Sequence, residues 1–232
     1  MEAREVGEAC AWGNEIELLQ AQTALEAVVA EMDLGDFAWT REPAAWEVYE
    51  GALEVTTRPH TDLWQRTYYH FRNDNAPVFQ TRTDERYFSF TVRTDFSQSS
   101  HRFDQCGIVV YLDSENWLKA SVEYENERFQ HLGSVVTNGG WSDWATTEIP
   151  ADERVMWYRL SRRWDDFRIE CSRDGVTFSQ MRVCHLAAAT GAVSFGVYAC
   201  SPEDSSFTAR FDRFDYGPCV WAAHDGQQPD EG

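Results

Sequence analysis

Apolar residues alternate with polar ones, two by two, across most of this chain, and a period of two fits a strand and not a helix. Phe88, Phe90, Val92 and Thr94 oppose Tyr87, Ser89, Thr91 and Arg93, while Ile108, Val110 and Leu112 oppose Val109, Tyr111 and Asp113. Phe167, Ile169 and Cys171 oppose Arg168 and Glu170, and the pattern continues through Val193, Phe195, Val197 and Ala199, then Phe207, Ala209 and Phe211. Turn residues punctuate these runs, so roughly a dozen short antiparallel strands are expected, packed as a two-sheet sandwich rather than as βαβ units. Ser172-Arg173-Asp174-Gly175 reads as a hairpin turn, with Gly175 supplying the positive φ such turns use.

The alternation starts after Gly35. Before it, Glu15 to Met32 place Ile16, Leu19, Thr23 and Ala27, with Leu18, Leu25, Val28, Val29 and Met32, at near-helical spacing without Pro or Gly, which predicts an N-terminal helix. The expected organisation is a helical extension over 1–36, an all-β jelly-roll sandwich over 37–216 and a polar, flexible tail over 217–232.

At 232 residues and 43% hydrophobic content the chain suffices for one such domain. A formal charge of -19 argues against nucleic acid or an anionic membrane as partner, since both need a basic footprint. Acidity with one lysine fits a high-salt cytoplasm and a GC-rich genome equally. No signal-peptide core, 18-residue apolar run or Asn-x-Ser/Thr sequon occurs, so a soluble cytoplasmic protein is expected. The six cysteines, among them Cys10, Cys106 and Cys200, form no Cys-x-x-Cys pair and are read as buried reduced thiols without a structural disulfide. The six histidines are scattered, and neither a metal site nor a cofactor is expected.

Three segments concentrate chemistry. If residues 61–70 are extended, Asp62, Trp64, Arg66, Tyr68 and His70 share one face, a row of charged and aromatic groups suited to a polyhydroxylated ligand. Arg102-Phe103-Asp104-Gln105 sets polar groups at a strand entrance. Ser134 to Trp144 runs a strand carrying Thr137 and Asn138 into a Gly-rich turn followed by Trp141, Asp143 and Trp144, two indoles that must pack or bind something. Lys119, the single lysine among 20 basic residues, lies on a strand with Trp117, Ser121, Glu123 and Glu125 on its own face and Leu118, Ala120, Val122 and Tyr124 on the other. Glu123 on the same face keeps that ammonium charged, which suits an electrostatic anchor for an anionic or hydroxyl-rich ligand and opposes a Schiff-base role.

Taken together, Thr61 to Thr67, Asp104-Gln105, Asn116 to Lys119 with Glu123, Ser134 to Asn138 with Ser142 to Trp144, and Ser172 to Gly175 make the chain, from about Phe37 to Tyr216, resemble the concanavalin A-like family associated with regulation of enolase, a domain of unknown function. Cys106 departs from the small apolar residue expected there. The resemblance implies a lectin- or glucanase-type jelly roll with a concave sheet and no established reaction. The preferred reading is a non-catalytic module binding a carbohydrate or anionic sugar-like metabolite through Asp62, Trp64, Arg66, His70, Asp104, Gln105, Trp117, Lys119, Glu123, Thr137, Asn138, Asp143 and Trp144. One alternative is a glycoside hydrolase or lyase using Glu123 and Glu125, whose backbone spacing of roughly 6.5–7 Å permits it. The other is a regulator that contacts a metabolic enzyme, which rests on the family's name.

Overall fold

The structure is a computed structural model that describes residues 29–222. Its strands in chain order are β1 (Ala30–Glu31), β2 (Ala38–Trp39), β3 (Ala45–Tyr49), β4 (Ala52–Thr56), β5 (Leu63–Gln65), β6 (Arg72–Asp74), β7 (Val78–Thr83), β8 (Tyr87–Asp95) and β9 (Gln105–Asp113). They continue as β10 (Asn116–Tyr124), β11 (Phe129–Asn138), β12 (Trp141–Pro150), β13 (Val155–Arg163), β14 (Asp166–Ser172), β15 (Ser179–His185), β16 (Val193–Cys200) and β17 (Thr208–Gly217). An eight-stranded sheet runs β15-β14-β13-β8-β17-β4-β3, with β1 also on β17; a seven-stranded sheet runs β12-β11-β10-β9-β16-β7-β2; β5 and β6 pair apart from both. All strand pairings are antiparallel, and the sole helical element among the described residues is one 3-10 turn, Leu34–Asp36. No helix there is long and apolar enough to cross a membrane.

The alternation dictates this sandwich. Phe88, Phe90 and Val92 of β8, Ile108 and Val110 of β9, Leu118, Ala120 and Val122 of β10 and Phe195 and Val197 of β16 meet in one buried core between the sheets. Each fully buried residue of this size contributes about 1.5–3 kcal/mol. Both connections singled out by composition join antiparallel neighbours, the first by a tight turn and the second by a six-residue loop. Asn138 pairs with Trp141, so Gly139 and Gly140 alone close the β11–β12 hairpin, at φ 57° and 77°. Gly175 has φ 74°, and Asp174 Oδ1 accepts from the backbone N–H groups of Val176 and Thr177, both at 2.8 Å. Those bonds hold the Asp174 carboxyl down at about 2.

Three expectations need correction or limits. The helix predicted to reach Met32 does not: Ala30 and Glu31 form β1, opposite Tyr216 and Asp215, because an edge of β17 is open there and Leu34 and Phe37 anchor the following turn in the core. The remainder of that helix and Cys10 lie outside the described residues. The tail assigned to 217–232 is docked as far as it is described: Val220 N–H donates to Ser89 Oγ at 3.0 Å and Arg163 bonds the Trp221 carbonyl.

Arg162 is fully buried and donates to the carbonyls of Trp164, Glu85, Ala189 and Gly191, the last two at 2.7 Å. It sews the β13–β14 turn to the chain ahead of β8 and to the chain ahead of β16, and burial lowers its pKa. Cys106 and Cys200 are also fully buried, which pushes both thiols up and keeps them protonated.

Candidate functional site

The outer face of the seven-stranded sheet is not bare. Val78 of β7, Val109 and Tyr111 of β9, Trp117 of β10, Val135 of β11 and Tyr198 and Cys200 of β16 build a second apolar cluster, roofed by Leu63 and Trp64 of β5 and by Ala76. The β5–β6 hairpin lies over this face, and between hairpin and sheet opens a cavity of about 320 Å³. That is the lower end of the roughly 300–1,000 Å³ range of small-molecule pockets.

Its walls are aromatic: Trp64, Tyr69, Phe71, Phe103 and Trp144. Trp64 meets Trp144 edge to face at 6.3 Å and Tyr69 at 5.6 Å. The floor is a chain of polar groups. Lys119 Nζ donates to Asp62 Oδ1 at 3.3 Å and to Gln105 Oε1 at 3.0 Å. Tyr198 O–H donates to the same Gln105 oxygen at 2.8 Å, and Gln105 Nε2 donates to Glu123 Oε2 at 3.0 Å. β9, β10 and β16 are neighbours in the sheet, and pairing sets Gln105 opposite both Glu123 and Cys200. Register alone therefore brings these side chains together.

Burial pushes the Glu123 carboxyl up to about 7; Lys119 pulls the other way, and Asp62 and Glu125 add to the rise. Glu123 Oε1 is buried and accepts no hydrogen bond. A small extension of the pocket reaches past it to His131, the residue directly opposite Glu123 on β11, whose Nδ1 is likewise unpartnered. Gly107, on the same face, has no alternative: a Cβ there would stand 1.8 Å from the Ala120 carbonyl oxygen.

Of the residues read from the sequence, Asp62, Trp64, Gln105, Lys119, Glu123 and Trp144 line this cavity. Seven do not. Residues 61–70 are not one strand: β5 ends at Gln65, and Arg66, Tyr68 and His70 adopt positive φ of 58°, 62° and 60°. The twist sends Arg66 to Glu115, at 2.9 Å, and over the Trp141 ring, leaves Tyr68 81% exposed and His70 exposed, and turns Tyr69 and Phe71 into the pocket instead. Asp104 is buried beneath the loops, accepting from Ser201 and Ser205 hydroxyls at 2.8 and 2.7 Å. Trp117 is fully buried under Lys119, whose ammonium lies 5.9 Å from its ring.

Thr137 shares a hydrogen bond with Ser142, whose hydroxyl receives the Gln65 N–H and so fixes the hairpin. Asn138 bridges to the His185 carbonyl and the Ala187 N–H, and Asp143 pairs with Arg182. The partner of Lys119 is Asp62 rather than Glu123, because Gln105 stands between the two. Glu125 lies beyond the end of β10, holds Arg102 at 3.0 Å and does not line the cavity. Sequence reasoning missed Tyr69, Phe71, Phe103, Val135, Pro202 and Glu203 of the lining. For Phe103 its place beside Gln105 was a usable signal; Pro202 and Glu203 sit in the β16–β17 connection and carry none.

Comparison with known proteins identifies relatives of the chain. The family described as "Protein of unknown function (DUF1349)" matches residues 39–219, a span that holds the whole pocket. "Regulation of enolase protein 1" of Saccharomyces cerevisiae is 30% identical over 194 residues, 83% of this chain and 96% of that protein. The crystal structure of a functionally unknown S. cerevisiae protein superposes with a TM-score of 0.75 at 27% identity, over 82% of this chain and 100% of that one. The GH43 protein BlXynB of Bacillus licheniformis gives a TM-score of 0.64 at 21% identity, over 82% of this chain and 38% of the enzyme. This chain thus corresponds to well under half of that enzyme, and the likeness is one of fold.

Proposed function

The chain belongs to the DUF1349 family, and from that premise we propose that it is a non-catalytic β-sandwich module that binds a carbohydrate in the pocket beneath the β5–β6 hairpin. One observation carries the reading: a cavity of monosaccharide scale whose walls are aromatic rings and whose floor is a hydrogen-bonded row of Asp62, Lys119, Gln105 and Glu123. Ring planes cover the C–H faces of a sugar, and a fixed row of carboxylate, amide and ammonium groups reads its hydroxyls. The geometry favours a neutral sugar over a sugar acid. Lys119 is 4% exposed and its charge is already met by Asp62, so its role is to hold Asp62 and Gln105 in place. The hydrolase reading built on Glu123 and Glu125 loses that pair, since Glu125 is engaged by Arg102 outside the cavity.

The test is a thermal-shift screen of neutral sugars, sugar acids and glycolytic intermediates against the wild type and Trp64→Ala. A ligand at 100 times its Kd stabilises by about 2.7 kcal/mol. Loss of the shift in Trp64→Ala supports the site; a sugar that shifts both proteins equally binds elsewhere and defeats it.

A second reading, a surface that contacts a metabolic enzyme, is favoured by the exposed Tyr68 and Trp141, 81% and 59% exposed, beside the pocket, and by the name of the yeast relative. Sedimentation of the protein mixed with enolase tests it; Tyr68→Ser with Trp141→Ser should abolish any complex.

A further inference from the structure

Charge inside the pocket is one-sided. Asp62, Glu123 and Glu203 line it against one cation, Lys119. That cation is compensated by Asp62 and Gln105, and its remaining surroundings are the Tyr198 and Trp117 rings at 5.3 and 5.9 Å. Glu203 sits at the mouth, 3.4 Å from the exposed His101 ring. Glu123 is different: Gln105 satisfies one oxygen, while the other is buried beside the cavity with no donor. A buried carboxylate oxygen left without a donor is costly and is satisfied by whatever enters.

The walls point the same way, because the face of an aromatic ring is the negative end of its quadrupole and attracts a cation within about 6 Å. A ligand anion would meet Glu123 and Glu203 in a chain of net charge -19. The geometry points to a ligand bearing a protonated amine, and, resting on the carbohydrate reading above, to an amino sugar whose ammonium donates to Glu123 Oε1 while its ring lies against the wall formed by Trp64 and Trp144. A neutral hydroxyl satisfies the same oxygen but gains neither the charge assistance nor the ring attraction, and hydrogen bonds between charged groups are about twice as strong as neutral ones.

The experiment is a fluorescence titration of the full chain with glucosamine, glucose, glucuronate and, as a cation without a sugar, tetramethylammonium. Glucosamine should bind about tenfold more tightly than glucose, glucuronate most weakly, and Glu123→Gln should bring glucosamine to the level of glucose. The ranking on the wild type stands whether or not that variant folds. Equal binding of glucose and glucosamine overturns the amine inference and leaves the carbohydrate reading intact, as does a glucuronate that binds best. Binding of tetramethylammonium with no sugar bound keeps the cation preference and removes the carbohydrate reading. If neither the sugars nor tetramethylammonium bind, both fail.

Discussion

Removing Asp62 and removing Lys119 should not cost the same, although the two form one ion pair. Asp62→Ala strips the carboxylate from an ammonium whose side chain is 5% exposed and leaves it the Gln105 oxygen as its one remaining hydrogen-bond acceptor. Breaking a buried pair from one side costs about 3–5 kcal/mol. The surviving bond to Gln105 and the neighbouring Glu123 carboxylate set the expected loss at the lower end, about 3 kcal/mol. Lys119→Met leaves Asp62, whose side chain is 15% exposed and still accepts the Leu63 N–H at 2.7 Å. That loss should be about 1–2 kcal/mol. The double variant strands no charge and should resemble Lys119→Met, so the two changes fall short of additivity by about 3 kcal/mol. Urea unfolding at pH 7, followed by tryptophan fluorescence and extrapolated linearly, measures all four proteins. Equal single losses that add in the double variant would refute the pairing argued here.

Three further outcomes follow from particular contacts. Glu123 is raised to about 7 from an ordinary 4.5, so the folded state prefers its protonated form; relative to Glu123→Gln, the wild type should lose about 2 kcal/mol between pH 5 and pH 8, read from urea midpoints at each pH. No relative loss over that window would mean the carboxyl is solvated. Arg162→Lys cannot reach four carbonyls and should cost about 3 kcal/mol or more in thermal unfolding, whereas a loss below about 1 kcal/mol contradicts the buried network. His70→Gly should leave stability unchanged or raise it by about 1 kcal/mol, because relief of a left-handed backbone, about 1–2 kcal/mol, outweighs the glycine entropy of about 0.5–1; a clear loss in urea would contradict the positive φ.

The sandwich was legible because alternation states which side of each strand faces an apolar layer, and Leu118, Ala120 and Val122 against Lys119, Ser121 and Glu123 show it working residue by residue. Alternation does not state what covers the other side. Trp117 was read as a ligand contact for that reason; the hairpin roofs the outer face and makes it core. The hairpin's own path was hidden too, since Arg66, Tyr68 and His70 take a left-handed backbone that only Gly, Asn or Asp advertise in a sequence. One such reversal moved Arg66 out of the pocket and brought Tyr69 and Phe71 in. Asp104 and Asn138 were recognised as polar groups at strand ends, but polarity alone does not separate a group that meets ligand from one that ties loops together. Arg162 is the extreme case: nothing about a charged residue in an Arg-Arg pair announces that it is fully buried and satisfied by backbone carbonyls.

The central claim is that ligand binds in the cavity lined by Trp64 and Trp144. Indole N–H resonances of the ¹⁵N-labelled protein, assigned by single Trp→Phe variants and followed through a glucosamine titration, test it most directly. The Trp64 and Trp144 signals should move together along one saturable curve, while Trp39 and Trp164, which do not line the cavity, stay fixed. Movement of other indoles with Trp64 and Trp144 unchanged would contradict the account.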